Sequence, residues 1–372
     1  MRALIFVLLL ASSLYAQTPK TPDSLVFVNG EQLTGTLEKA DSKGITFKSL
    51  MAGEITVGWA NIKELRSDQQ FAVLTTNEKL TRRNAAAVVP SGRISVADKQ
   101  LVVATKEGPK VVPIEKADRL IDAAAFDKAI NHPQGLLQGW GGTAVGGVSL
   151  VRATQDSTTF TGALSLARAT PTVDWLPART KDSIAYNQSY GTSSQALTPT
   201  IKSNIFHANA EHDRYFSPRL FAFGAATFDH NYSQLVDLEQ AYGGGVGITV
   251  IKNAKHELDF KGDIHYEKES FFTIDGSTPA PNLNLAGSTF SETYLRHLLK
   301  GIVFNEFGSV TPSWNDTNAY SAHVNAGFVF PVIKGFGLNI NGIDDYLNNA
   351  PFGSKKNSVQ YSTGITYTIK PR

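Results

Sequence analysis

The chain has 372 residues, 42% of them hydrophobic and 18% charged, with a formal net charge of +2. That length allows one large domain or two ordinary ones, and Lys and Arg scattered without a stripe argue against nucleic acid as a partner. The absence of cysteine excludes disulfides, cysteine-based zinc sites, thiol catalysis and a lipoprotein anchor.

The opening "MRALIFVLLLASSLYAQTPK" places Arg2 before an apolar run from Ala3 to Leu10 and "LYA" before Gln17. This predicts a secretory signal peptide over 1–16. The run is too short for a bilayer-spanning helix, which needs about 20 apolar residues, and no later stretch comes close. An exported chain of this kind is either soluble outside the cytoplasm or a closed β-barrel, the other structure that satisfies its backbone in lipid.

Aromatic composition then divides the chain. Between Asp23 and Ala125 the only Trp or Tyr is Trp59, whereas three Trp and eleven Tyr follow from Trp140 onward. Residues 23–125 read as a small β domain, with Asn29-Gly30 as a tight-turn signal between short strands. Segment 25–35 aligns with 71–81, and 53–67 with 108–122, which predicts two SH3-like β units. Residues 126–138, "FDKAINHPQGLLQ", lose periodicity around Pro133 and Gly135 and read as a linker.

Residues 139–372 predict an antiparallel transmembrane barrel. Strands are expected from near 140, 157, 180, 203, 219, 240, 256, 288, 302, 319, 336 and 357, the even number that a bacterial single-chain barrel requires. "HELDFKGDIHYEKE" sets Leu258, Phe260, Ile264 and Tyr266 on one face. Its other face holds Glu257, Asp259, Lys261, Asp263, His265, Glu267 and Glu269. "AYSAHVNAGFVFPV" opposes Phe328 and Phe330 to His323 and Asn325, and the last strand sets Tyr361, Ile365 and Tyr367 against small polar residues. The apolar sets are expected to face lipid or form aromatic girdles, and the polar sets to line a lumen. Strands longer than the globular average and alternating link lengths favour a barrel over a soluble sandwich. Tight links are expected at 216–218, 252–255, 299–301 and 332–335. Longer ones are expected at 191–200, 233–238, 273–287, 311–317 and 347–356. The last strand is expected to close on "GWGGTAVGGVSLV". The terminal Ile369-Lys370-Pro371-Arg372 departs from the aromatic ending common among such barrels.

No catalytic, cofactor-binding or metal residues are assigned. The acidic stripe around His265 reads as a solvated lumen wall whose members do not converge, with charges paired across strands. His207 and His212, five apart, point to opposite faces. Ser321 and His323 share a face but no supporting motif surrounds them, so an embedded hydrolase is the enzyme alternative and not the leading reading. "YGGGVG" (242–247) lacks a following helix and reads as small lumen-facing glycines, not a phosphate loop.

The segments "LVFVNGEQLTG", "AGEI", Trp59, "GWGGTAVGGVSL" and "AYGGGVGITV", in that order, resemble a family of salt-induced outer-membrane proteins catalogued as domain of unknown function 481. The resemblance covers most of the mature chain. It implies an outer-membrane barrel with a periplasmic N-terminal domain in a Gram-negative-type cell, and it carries over no catalytic residues. The expected partners are outer-membrane lipid, the barrel assembly machinery and an envelope partner for the N-terminal domain. The expected function is a narrow pore or structural envelope protein. The alternative makes the barrel an anchor for the N-terminal module.

Overall fold

The computed structural model describes residues 22–371 apart from 77–79, 82, 133–134, 152–154, 196–199, 274–280 and 353. The signal peptide expected over 1–16 lies outside the described residues. The chain divides into two compact units, Met1–Pro133 and Gln134–Arg372.

The first unit contains β1 (Asp23–Phe27), β2 (Gln32–Asp41), β3 (Gly44–Ser49), β4 (Gly53–Gly58) and β5 (Ile62–Thr75). A short α1 (Ala85–Val88) follows, then β6 (Ser91–Ala97), β7 (Gln100–Thr105), β8 (Gly108–Pro113), β9 (Ala117–Asp122) and α2 (Ala123–Asn131). The same succession of elements occurs twice. Four strands, a 3-10 turn at Trp59–Asn61 and the first part of β5 recur as the end of β5, β6 to β8, a 3-10 turn at Ile114–Lys116 and β9. Pairing of β9 with both β2 and β5, and of β1 with the same two strands, closes a small circuit. Its apolar faces turn inward, burying Leu25, Phe47, Leu65, Val73, Leu101 and Val103 completely. Bulges interrupt β2 at Leu37/Lys39 and β5 at Ser67/Gln70. Buried Asp23 serves the first, its Oδ2 accepting from the Leu37 amide and the Gln69 side chain at 2.7 Å each.

The irregular linker expected over 126–138 is corrected by α2. Asp122 caps that helix by accepting from the Ala125 amide at 2.9 Å, and Phe126 and Ile130, four apart, bury one face. Pro133 and Gly135 drew attention to the break beyond the helix and hid the amphipathic turn before it.

The second unit is an antiparallel barrel. Its strands are β10 (Gly141–Val151), β11 (Gln155–Thr170), β12 (Thr180–Gln195), β13 (Ile201–Tyr215), β14 (Leu220–Asn231), β15 (Val236–Lys252) and β16 (His256–Phe271). Then come β17 (Leu283–Gly287), β18 (Phe290–His297), β19 (Val303–Pro312), β20 (Tyr320–Ile333), β21 (Phe336–Leu347) and β22 (Asn357–Ile369). Thirteen strands make twelve staves, because β17 and β18 are successive halves of one stave laid along β16. The strand expected from near 288 is thus the second half of a stave that β17 begins. The last strand closes on the first, with Ile369 opposite Gly142 and Ile365 opposite Gly146. The β14–β15 connection, expected to be long, is a 3-10 turn at Tyr232–Gln234, because both strands extend further than their apolar runs suggest.

Alternation sets the exterior. Phe260, Ile264 and Tyr266 expose 43%, 61% and 49% of their surfaces, and Tyr361, Ile365 and Tyr367 expose 87%, 64% and 45%. Phe328 joins them, while Phe330 shares that face but stacks on Phe328 at 6.1 Å. Leu258 is half-buried on the same face of β16. These apolar residues cover the outside of a closed sheet, the pattern of an outer-membrane-type barrel.

The N-terminal core generates a first prediction. Leu65→Ala removes a wholly buried side chain and should destabilise the first unit by about 2–5 kcal/mol. Hydrogen exchange in urea should show earlier opening of β1, β5 and β6 with barrel protection unchanged.

Candidate functional site

The interior of the barrel holds the chemistry. On β16 the inward set is Glu257, Asp259, Lys261, Asp263, His265, Glu267 and Glu269, in register with inward residues of β15 such as Thr249, Gly245 and Glu239. The expectation of a solvated, non-converging stripe is corrected here. Asp259, His265, Glu267 and Glu269 expose only 6%, 9%, 5% and 2% of their surfaces. Neighbours along one strand diverge, but residues from other staves point at the same axis and meet them there.

Towards the tight-turn end, the Lys261 ammonium is bound to Glu211 of β13, across two intervening staves. It also lies over the rings of Phe221 and Phe223, 5.9 and 5.4 Å from their centroids. The glycines of "YGGGVG" make this possible. Gly247 and Gly245 stand opposite Phe221 and Phe223, and a Cβ on Gly247 would lie 2.3 Å from the Phe221 ring. Asp213, 2% exposed, is the next inward residue after Glu211 on β13. Glu257 sits at the rim and pairs with Lys252 at 3.7 Å.

Towards the long-link end, His265 Nδ1 lies 2.8 Å from Asp263 and its Nε2 3.5 Å from Glu267. Glu239, Glu267 and Glu269 bring carboxylate oxygens within 4.8 Å of one another, and the Asn349 amide donates to Glu269 at 2.7 Å. Such an oxygen set could hold a hard cation. Glu239 was not anticipated, because nothing in the spacing along β15 marks it.

A second feature spans the lumen. His207 on β13 and His323 on β20 stack with ring centroids 5.7 Å apart and planes at 16°. Their strands are six staves apart in either direction around the ring of twelve. Each imidazole is held at Nδ1 by a carboxylate on the adjoining strand, His207 by Asp229 and His323 by Asp345, at 2.5 Å in both cases. Phe307 flanks His323 at 5.7 Å. His207, Asp229 and Asp345 were missed. Both pairs are direct cross-strand neighbours 22 residues apart in sequence, a spacing that becomes meaningful only once the register is known. Above this strut the β14–β15 turn reaches across the mouth, where the Gln234 amide donates to the carbonyls of Asp345 and Lys356 at 3.2 and 2.6 Å.

The strut divides the lumen into unlike halves. On the side of β14 to β19 lie the buried charges and phenyl rings. On the side of β10 to β12, β21 and β22 the inward residues are mainly small and uncharged, among them Thr143, Thr161, Ser183, Asn187, Asn341 and Ser362, with Lys181 on β12 and Asp345 on β21 as charged exceptions. Each of these is partly exposed inside the barrel. Asn325, inward on β20, pairs with Phe307 and Ile343, and its Oδ1 is buried without a partner. Ser321 shares the wall with His323, but the imidazole is engaged by Asp345 and His207.

Comparison with known proteins adds the following. The family model described as "Protein of unknown function, DUF481" matches residues 146–369. A search of curated proteins found no match. Among solved structures, the translocator domain of the autotransporter NalP from Neisseria meningitidis is 13% identical, with 66% of this chain and 92% of that one covered and a TM-score of 0.34. The beta domain of the Bordetella autotransporter Brka is 10% identical, covering 63% of this chain and 98% of that one at a TM-score of 0.30. The CymD monoaromatic hydrocarbon channel is 8% identical, covering 81% and 86% at 0.29.

The Lys261 arrangement is testable. Its side chain and that of Glu211 are 17% and 11% exposed, so Lys261→Met leaves a nearly buried carboxylate uncompensated and should cost the barrel about 3 kcal/mol. Urea unfolding of barrels refolded into vesicles measures this. Lys261→Met combined with Glu211→Gln should recover part of the loss.

Proposed function

The chain belongs to the family described as "Protein of unknown function, DUF481", and we propose that its barrel is a narrow outer-membrane passage for small uncharged polar solutes. The path runs along the small polar wall formed by β10 to β12, β21 and β22. The observation that carries this reading is the His207–His323 strut. It stands between a half packed with buried charged groups and a half lined mainly by accessible Thr, Ser and Asn. Lys261 and Glu211, nearly buried against each other, contribute little to drawing ions in, whereas a wall of hydroxyl and amide groups exchanges hydrogen bonds with passing neutral solutes.

On this reading the exposed apolar exterior contacts outer-membrane lipid, and insertion requires the barrel assembly machinery. The N-terminal unit lies in the periplasm, following export through the signal peptide, where it is free to bind an envelope partner. No reaction is assigned to the lumen.

Single-channel recording of the detergent-purified full chain in a planar bilayer tests the passage. The wild type should give small, weakly ion-selective steps, and His207→Ala with His323→Ala should give larger ones. Correct insertion with no steps from either protein would refute the passage and leave the barrel an anchor or structural element.

A further inference from the structure

The first unit has two open sheet edges, and its two repeats treat them differently. β4 and β8 are the terminal strands of the nine-stranded sheet, each hydrogen-bonded on one side only. They hold the same place in the two repeats, each leading into a 3-10 turn. The ladder bonds fix which groups face outward. The Trp59 amide donates to the Lys43 carbonyl at 3.4 Å, and the Ile114 amide to the Lys99 carbonyl at 3.2 Å. Antiparallel pairs alternate between bonded and non-bonded. Counting back along the registers, Val57 and Ile55 therefore bond to β3, and Val112 and Lys110 to β7. The backbone groups of Glu54, Thr56 and Gly58 then point away from β3, and those of Pro109, Val111 and Pro113 away from β7.

Pro109 and Pro113 have no amide to offer, so only Val111 keeps an outward donor, which is how natural sheets blunt an edge. β4 contains no proline, and among the described residues nothing accepts from its outward amides. Conformation does not impose the difference. Gly58 has φ −68° and ψ 145°, and Pro113 has φ −58° and ψ 134°. The β4 backbone would accept proline at the equivalent place.

The β4 edge is complementary to itself. Antiparallel pairing of two β4 strands about Thr56 sets Thr56 opposite Thr56 and Glu54 opposite Gly58. The Thr56 amides and carbonyls bond reciprocally, and each Gly58 amide meets a Glu54 carbonyl. Threonine pairs are favourable across strands. Glycine leaves room beside each carboxylate, and the two carboxylates stand about 13 Å apart along the strand. Parallel in-register pairing would instead set Glu54 against Glu54. On the inner face, partly buried Ile55 meets Val57 of the second molecule and extends the core on which both pack. The same register brings the turn bearing Leu50 and Met51, 73% and 94% exposed, alongside Trp59–Asn61 of the second molecule. Pairing of β4 with β8 of another molecule would be head-to-tail and would run on into an open chain of molecules. Pro109 and Pro113 bar that contact and leave the closed, two-fold one.

We propose that the β4 edge is the interface through which two molecules of this chain join, by antiparallel strand pairing centred on Thr56. The inference is independent of whether the lumen conducts.

The chain contains no cysteine, so a single introduced thiol reports the register. The full-length protein carrying Thr56→Cys, Glu54→Cys or Val111→Cys is reconstituted in vesicles and mildly oxidised. Opposed residues of a bonded pair have Cα atoms about 5.5 Å apart, within disulfide reach, so Thr56→Cys should link into covalent dimers. Glu54→Cys and Val111→Cys should not. Sedimentation of the detergent-purified wild type should give twice the monomer mass. Glu54→Pro with Gly58→Pro, which copies the β8 edge, should give the monomer with an unchanged circular dichroism spectrum. A monomeric wild type without the Thr56→Cys link overturns the assignment, and is the result expected of an edge filled by a different envelope protein. A dimer that survives the double proline variant overturns it too, as does linkage through Val111→Cys equal to that through Thr56→Cys. If the proline variant does not fold, the contrast between Thr56→Cys and Glu54→Cys still decides.

Discussion

A backbone amide or carbonyl facing hydrocarbon has no water to bond, and each one left unpaired costs several kilocalories. The second unit is organised around that constraint. Pairing of β22 with β10 removes the two edges that an open sheet would present to lipid. Even the break between β17 and β18 is made good. Asp263 and Thr289 exchange backbone and side-chain bonds, with the Asp263 amide donating to the Thr289 carbonyl at 3.0 Å and the Thr289 amide to Asp263 Oδ1 at 2.8 Å. A polar lumen residue thus repairs the wall in which it sits.

Closure has a second consequence. Once twelve staves form a ring, inward side chains from opposite strands share one confined volume, and charges placed there must find partners or be neutralised. Glu211 reaches Lys261 past two staves, and glycines on β15 make room for the phenyl rings beneath the ammonium. The two carboxylate-held imidazoles meet on the barrel axis. A carboxylate on Nδ1 fixes ring orientation, much as outer-shell carboxylates orient metal-bound histidines. Two rings fixed in this way make a stiffer strut than free histidines would. The unlike halves of the lumen follow from that geometry.

These levels of structure were unequally legible. The alternation of Phe260, Ile264 and Tyr266 against the β16 charges is a period-two signal within a single strand, and it survives without knowledge of any partner. The doubling in the first unit was visible as well, because Gly53–Gly58 and Gly108–Pro113 precede matching 3-10 turns and strands. The strut was not. His207 and His323 sit on strands whose separation around the ring depends on the total number of staves, and no local pattern encodes that number. Glu239 was hidden for the same reason. Helix α2 was hidden differently, since its amphipathic stretch spans only nine residues and ends beside stronger breakers.

The two units also show why alternation alone is ambiguous. In the first, Leu25, Leu65 and Val73 point to a common interior and are wholly buried. In the second, Ile264, Tyr361 and Ile365 follow the same period yet point outward. Period two reports that a strand has two unlike faces, and the solvent decides which of them is inside. What distinguishes the cases is strand length and aromatic content. The first unit's strands mostly have five to seven residues and its span from Asp23 to Ala125 contains one Trp and no Tyr, while β15 has 17 residues and the tyrosines cluster beyond Trp140. A lone small sheet in water gains little from long strands or outward tyrosines. A wall that must cross hydrocarbon and end at two polar interfaces needs both, so the change in aromatic composition near Trp140 marks a change of solvent as well as of domain.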